Sequence, residues 1–267
     1  MAHTTAGYPS THKRFWEIDL LRTIAIVMMV TFHTLYLLNY FGIHSTGVPG
    51  PYKGLWWWIP VVIVSLFSLL AGVSLTISHS RGKKLSGLML RGLKIFGWGM
   101  VITFLTWIIA PEEYIRFGIL HFFGIAFILA PLFIEFRFIN LMLGAALLAT
   151  GIYLLEQGIF VDSPWLLWLM PYSFRTMDYW PLVPCFGIFL VGMFAGKMLY
   201  PQGNRRFHIP DFNNPVISVL TLPGRHPLMI YLAQWPILIG LILAPVSYTH
   251  LRAHETSLHL VCRLLLE

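Results

Sequence analysis

Charge is scarce in this sequence. Only 11% of its 267 residues are Asp, Glu, Lys or Arg, against 57% hydrophobic. An ordinary soluble domain carries about 25% charged residues. With a mean hydropathy of +0.72, a water-soluble fold of this length has no means of hiding so much apolar surface. Cysteine is scarcer still: Cys185 and Cys262 are the only two, which excludes a disulfide framework. No internal repeat of fixed period is present. The net charge of +7 is not gathered into a basic tract. Its Lys and Arg residues are spread over short connections, which excludes a nucleic-acid partner and fits membrane topology.

Long apolar runs fill the rest. A hydrocarbon core of about 30 Å needs roughly 20 apolar residues per helix. Seven runs meet or approach that length: 16–38, 55–78, 88–109, 117–135, 138–155, 178–199 and 216–244. The last is expected to break near Pro223-Gly224, leaving 226–244 as the span proper. The expected fold is all-α, a polytopic membrane bundle of about seven transmembrane helices with the lipid bilayer as its partner. Orientation follows from basic residues. With the N-terminus cytoplasmic, the inner segments hold Lys13, Arg14, Arg81, Lys83, Lys84, Arg91, Lys94, Arg137, Lys197, Arg205, Arg206 and Arg225. The outer ones hold Lys53, Arg116 and Arg175. Trp56, Trp57, Trp58, Tyr179 and Trp180 open spans as interfacial aromatics do. Gly192-x-x-x-Gly196 offers a close helix contact, serving either internal packing or a homodimer.

Residues 1–14 form a polar arm, 15–245 the transmembrane domain, and 246–267 a tail. The first apolar run exceeds a signal-peptide core and has no small-residue cleavage site after it, so an uncleaved anchor is expected. The tail, VSYTHLRAHETSLHLVCRLLLE, resembles a read-through segment of sequencing or vector origin. Its residues are set aside from every site.

The polar residues at membrane depth carry the chemistry. Arg22 and His33 lie eleven positions apart, close to three helical turns, so they share a face about 16 Å apart along the axis. Asp19, Ile26, Met29 and Tyr36 continue that stripe. A charge in a bilayer costs roughly 2.5–3.5 kcal/mol, so those that persist are functional candidates. His121 opens the fourth span and Asp178 the sixth; His44 lies in the loop after the first. A histidine titrates near neutral pH and can take and return a proton, oriented by a carboxylate. Arg91 and Lys94 are placed to meet phosphate at the inner surface. Each has a plainer reading. His33 is then a core histidine bonded to a backbone carbonyl, and Asp19–Arg22 a structural pair. Asp178 becomes a cap on the sixth helix, His121 an interfacial residue, His44 a solvated one, and Arg91 and Lys94 positive-inside anchors. No metal site is indicated.

Six segments taken together carry a resemblance: Glu17-Ile-Asp-Leu-Leu-Arg22 through His33, Leu69-Leu-Ala-Gly-Val-Ser74, Arg91-Gly-Leu-Lys-Ile-Phe96, Phe117-Gly-Ile-Leu-His121, Asp178-Tyr-Trp-Pro-Leu-Val-Pro184 and Gly224-Arg-His-Pro-Leu-Met-Ile-Tyr231. Over about residues 14–244 the chain resembles prokaryotic proteins with a heparan-α-glucosaminide N-acetyltransferase catalytic domain. The Arg22/His33 spacing is also similar to that of the wider transmembrane acyltransferases that modify cell-surface glycans. The resemblance implies a multi-pass enzyme of the cell membrane. It would take an acetyl group from cytoplasmic acetyl-CoA and pass it to a glycan or small-molecule hydroxyl or amine on the outer side. It implies His33 as the base, Arg22 shaping a donor channel, Arg91 and Lys94 meeting the donor's phosphates, and His121 and Asp178 lining the acceptor side, with Asp178 a catalytic candidate beside His33 and His44. Tyr36 and Gln234 join His121 as substrate contacts. Lysosomal members have Asn where His33 stands and carry their active-site histidine in the loop after the first helix, where His44 stands here. Many relatives have His-Gln-Pro where this chain has Gln234-Trp235-Pro236. The base is therefore His33 or His44. The rival functions are a transporter or flippase for a small polar or lipid-linked substrate, and a structural subunit. The first is disfavoured by the missing inverted repeats.

Overall fold

A computed structural model describes residues 14–42, 54–161, 163–171, 174–210 and 214–242. His44, the arm before residue 14 and the tail 246–267 lie outside these. Within them the chain is helical: α1 (Trp16–Tyr40), α2 (Trp58–Ser80), α3 (Leu85–Ile109), α4 (Ile119–Leu129), α5 (Phe138–Glu156), α6 (Leu182–Leu199), α7 (Pro215–Leu220), α8 (Leu222–Arg225) and α9 (Pro227–Ile242). Five of them, α1, α2, α3, α5 and α6, are long and apolar enough to cross a membrane. The remaining two expected spans appear as shorter apolar helices, α4 with its extension to Leu132 and α9. Among the described residues the only β pairing is an isolated bridge between Phe117 and Tyr179.

The expected boundaries shift where proline intervenes. The sixth helix starts at Leu182 rather than 178. Pro181 disfavours helical geometry in the residue before it, so 178–181 stays extended. The seventh span is divided at Thr221 and again at His226, whose φ of −128° and ψ of 46° precede Pro227.

The chain forms two compact units, Met1–Ile18 with Val64–Asn213 and Asp19–Ile63 with Asn214–Glu267. In the first, α3 packs on α4 and α5 on α6. Its core is aromatic and aliphatic, with Phe122, Phe127, Phe186, Phe189, Leu190 and Met193 buried. The apolar residues Leu93, Met100, Phe104 and Ile108 of α3 are exposed, as a lipid-facing side must be. Glycine sets the approach of α2 to α6. A methyl group added at Gly72 or Gly192 would run into the backbone of Phe189 or Leu69, and one at Gly196 into Thr76 Oγ1. The Gly192/Gly196 face thus serves internal packing against α2. Small residues drive such contacts because lipid supplies no hydrophobic gain from helix association. Gly192→Ala is expected to cost about 2–3 kcal/mol, since the obstruction is a carbonyl rather than a movable side chain. A lowered thermal midpoint in detergent would register this, and an unchanged one would refute the close contact.

In the second unit, α1 from Asp19 onward meets the C-terminal helices. Gly224 lies against the Asp19–Thr23 turn, where its N–H donates to Thr23 Oγ1 at 3.0 Å. Eleven residues later, Trp235 lies on His33, with ring centroids 4.9 Å apart. The segment 224–235 therefore ascends α1 in the same direction as α1 itself. First and last apolar helices therefore run parallel. Leu21, Ile24, Val27 and Thr31 occupy the exposed face of α1, while Asp19, Thr23, Ile26, Met29 and Phe32 are buried. The polar stripe thus turns away from lipid.

Candidate functional site

The polar groups form two clusters, one in each unit. In the second unit the α1 stripe begins with an ion pair: Arg22 donates to Asp19 Oδ1 at 2.8 Å, one helical turn apart. Thr23 Oγ1 donates to the Asp19 carbonyl at 3.0 Å and in turn accepts the Gly224 N–H. The expected structural pair is present, and it anchors the approach of α8 to α1.

Three turns along sits His33. Its ring is covered by Trp235, and Phe32 lies 6.0 Å from it by centroid. The side chain of Gln234 faces the imidazole. No good hydrogen bond results: His33 Nδ1, Gln234 Nε2 and Gln234 Oε1 are all buried without a partner. An unmade hydrogen bond at a buried polar group costs about 1–3 kcal/mol. Three such atoms gathered at one place are therefore conspicuous. An imidazole with an open nitrogen can accept a proton. Tyr36, one turn further, is partly buried beside Tyr40, at 6.2 Å between ring centroids.

The first unit holds the second cluster. His121 is 2% exposed on α4. Its Nδ1 accepts the Gly118 N–H at 3.2 Å, and its Nε2 meets Thr103 Oγ1 at 3.2 Å. Thr103 Oγ1 itself donates to the Ile115 carbonyl at 2.6 Å, so Nε2 carries the proton. Both ring nitrogens are engaged, and Gly99 supplies the flat bed beneath the ring. Asp178 serves the same turn. Its Oδ2 accepts the Ile119 N–H at 2.9 Å and its Oδ1 accepts from Trp180 Nε1. The expectation that Asp178 caps the sixth helix is corrected: it binds the N-terminus of α4. The cause is the pairing of 174–180 with 113–117, seen in Met177 N–H to the Glu113 carbonyl at 2.9 Å and Trp180 N–H to the Phe117 carbonyl at 3.2 Å. A helix N-terminus offers unpaired N–H groups and partial positive charge, which a carboxylate satisfies.

Burial pushes the Asp178 carboxyl up to about 6, against the lowering effect of its bonds from Ile119 and Trp180. A carboxyl raised above its unfolded value of 3.8 stabilises most when protonated. That contribution is complete below about pH 4 and is lost as pH rises through about 6, with a ceiling of about 3 kcal/mol. The thermal midpoint is expected to fall across this window in the wild type and to stay flat there in Asp178→Asn. Parallel profiles would refute the assignment.

Arg91 and Lys94 are one turn apart on α3 and exposed, with the Arg91 guanidinium 5.2 Å from the centroid of the Phe127 ring. The structure thus gathers Arg22, His33, Tyr36 and Gln234 in one unit, and Arg91, Lys94, His121 and Asp178 in the other. Sequence reasoning missed Trp235 as a cover for His33, Thr103 as a partner of His121, and the pair Glu17–Arg205. In that pair Arg205 Nε and Nη2 donate to the two Glu17 oxygens at 2.8 and 2.7 Å. A sequence separation of 188 leaves no local signal for it.

The apolar helices and the polar stripe turned away from lipid are those of a multi-pass membrane protein. Its family is shown by the match of residues 14–236 to the model described as heparan-alpha-glucosaminide N-acetyltransferase, catalytic. The chain belongs to that family, and its function is of the membrane acetyltransferase kind. Comparison with curated proteins and with solved structures gave no match.

Proposed function

We propose that this protein is an acyltransferase of the cell membrane. It moves an acetyl group from cytoplasmic acetyl-CoA to a hydroxyl or amine of a glycan or small-molecule acceptor on the outer side. The observation that carries the reading is the buried, unpartnered Nδ1 of His33 on the α1 stripe. The family supports acetyl transfer in general. Neutral His33 takes the proton of the acceptor as it attacks the thioester carbon, and returns it to the departing thiolate. General-base help of this kind contributes typically 10²–10⁴ in rate. Arg22, tied to Asp19, shapes the approach of the donor; in the other unit, Arg91 and Lys94 are exposed cations suited to phosphate. His121 and Asp178, occupied by the backbone of the α4 entry, act by fixing its shape.

The test is release of free CoA thiol from acetyl-CoA with amino sugars by the purified full chain, comparing His33→Ala and His44→Ala. The base is the histidine whose loss removes turnover. Wild-type turnover in both variants would overturn the proposal.

A further inference from the structure

Gln234 lies on α9 and is 4% exposed. Neither its amide nitrogen nor its amide oxygen has a partner. The buried amide of Asn140 differs at its nitrogen: Nδ2 donates to the carbonyls of Phe133 and Phe136, both at 2.9 Å, while its Oδ1, like Oε1 of Gln234, has no partner. Gln234 makes no such bond: neither amide atom meets a partner in full hydrogen-bond geometry, although the side chain lies close enough to His33 to interact with it. Trp235 is turned onto His33. The amide is left facing the imidazole that also has an open nitrogen. Two N–H donors and a proton acceptor, buried side by side and idle, are the pair that acyl transfer needs at its reacting carbon.

We infer that Gln234 Nε2 is the oxyanion donor of the site, a catalytic residue that acts on the thioester carbonyl while His33 Nδ1 acts on the acceptor. This rests on the acyltransferase reading. The acceptor oxygen or nitrogen forms a bond to the thioester carbon, and its proton goes to His33 Nδ1. The carbonyl π pair moves onto oxygen, where the Gln234 N–H groups meet the developing charge. The pair then returns, the carbon–sulfur bond breaks, and the thiolate takes the proton from His33. The products are acylated acceptor and free CoA thiol, with the imidazole neutral again. A donor aimed at charge present only in the transition state lowers the barrier without tightening ground-state binding.

The experiment measures kcat and KM for acetyl-CoA with D-glucosamine, together with thermal midpoints, for the wild type, Gln234→Met, Gln234→Leu and His33→Ala. Loss of an oxyanion donor typically lowers kcat by 10²–10³. That loss is expected in Gln234→Met and Gln234→Leu, with KM changed by less than about threefold. Because the wild-type amide is buried and unsatisfied, an apolar side chain of similar size is expected to hold or raise the midpoint. A structural glutamine would do the reverse, with a lowered midpoint and kcat retained. Either variant keeping kcat within about threefold of the wild type overturns the inference, as does a kcat loss matched by a fallen midpoint. Should Gln234→Leu fail to fold, Gln234→Met decides. If His33→Ala is inactive while Gln234→Met is not, only the oxyanion role falls. If the wild type itself releases no CoA thiol, both readings fall.

Discussion

His33→Ala is expected to lower acetyl-CoA turnover by 10²–10⁴ while the helical fold and thermal midpoint persist. The size of the loss reflects what the imidazole does for the acceptor. Phe32, Trp235 and Gln234, which lie against His33, offer the acceptor proton no titratable group. Stability should survive because His33 Nδ1 makes no hydrogen bond to lose. What alanine removes is packing against Trp235, a modest change beside the loss of a base. The assay is thiol release at saturating acetyl-CoA, read beside circular dichroism and a melting curve. Turnover retained within threefold would assign the proton transfer elsewhere. A collapsed melting curve would return His33 to the role of a core histidine.

Gly224→Val is expected to be the most damaging substitution in the second unit. An added Cβ at this position would sit inside the Asp19 carbonyl oxygen and crowd Thr23 Oγ1. Overpacking usually costs 1–3 kcal/mol, and more where the obstruction is backbone that has no alternative rotamer. Here it also breaks the Gly224 N–H bond to Thr23 Oγ1. A loss above about 3 kcal/mol is expected, visible as a lowered thermal midpoint. Turnover should fall by more than the unfolded fraction explains, since Gly224 and Trp235 are carried by the same short stretch of chain and moving one displaces the cover over His33. A residual folded population with wild-type kcat would refute that coupling.

Helix number and apolar faces were legible in the sequence because a bilayer imposes length and hydropathy run by run. The inward orientation of the α1 stripe followed from the same source: Asp19, Arg22 and His33 recur at helical spacing, and lipid excludes them. The internal use of Gly192 and Gly196 was one of two readings, and α2 fills it. Local chemistry was less legible. Asp178 was assigned to the nearest helix in sequence, whereas it serves α4. That partnership depends on two connecting segments pairing across 59 positions. Trp235 stood in plain view beside Gln234, yet nothing in a single sequence says that α9 lies along α1. The Glu17–Arg205 pair was invisible for the same reason. Contacts within one helix are written in its period; contacts between helices are not.

The different surroundings of the two buried imidazoles carry a consequence for nucleophile chemistry. An acylating reagent attacks a nitrogen lone pair. In His121 one nitrogen has committed its pair to Gly118 and the other bears hydrogen toward Thr103, while His33 Nδ1 makes no hydrogen bond. Electrophilic selectivity is thus decided by hydrogen bonding rather than by depth. A probe such as diethyl pyrocarbonate should modify His33 in preference to His121, with acetyl-CoA protecting it.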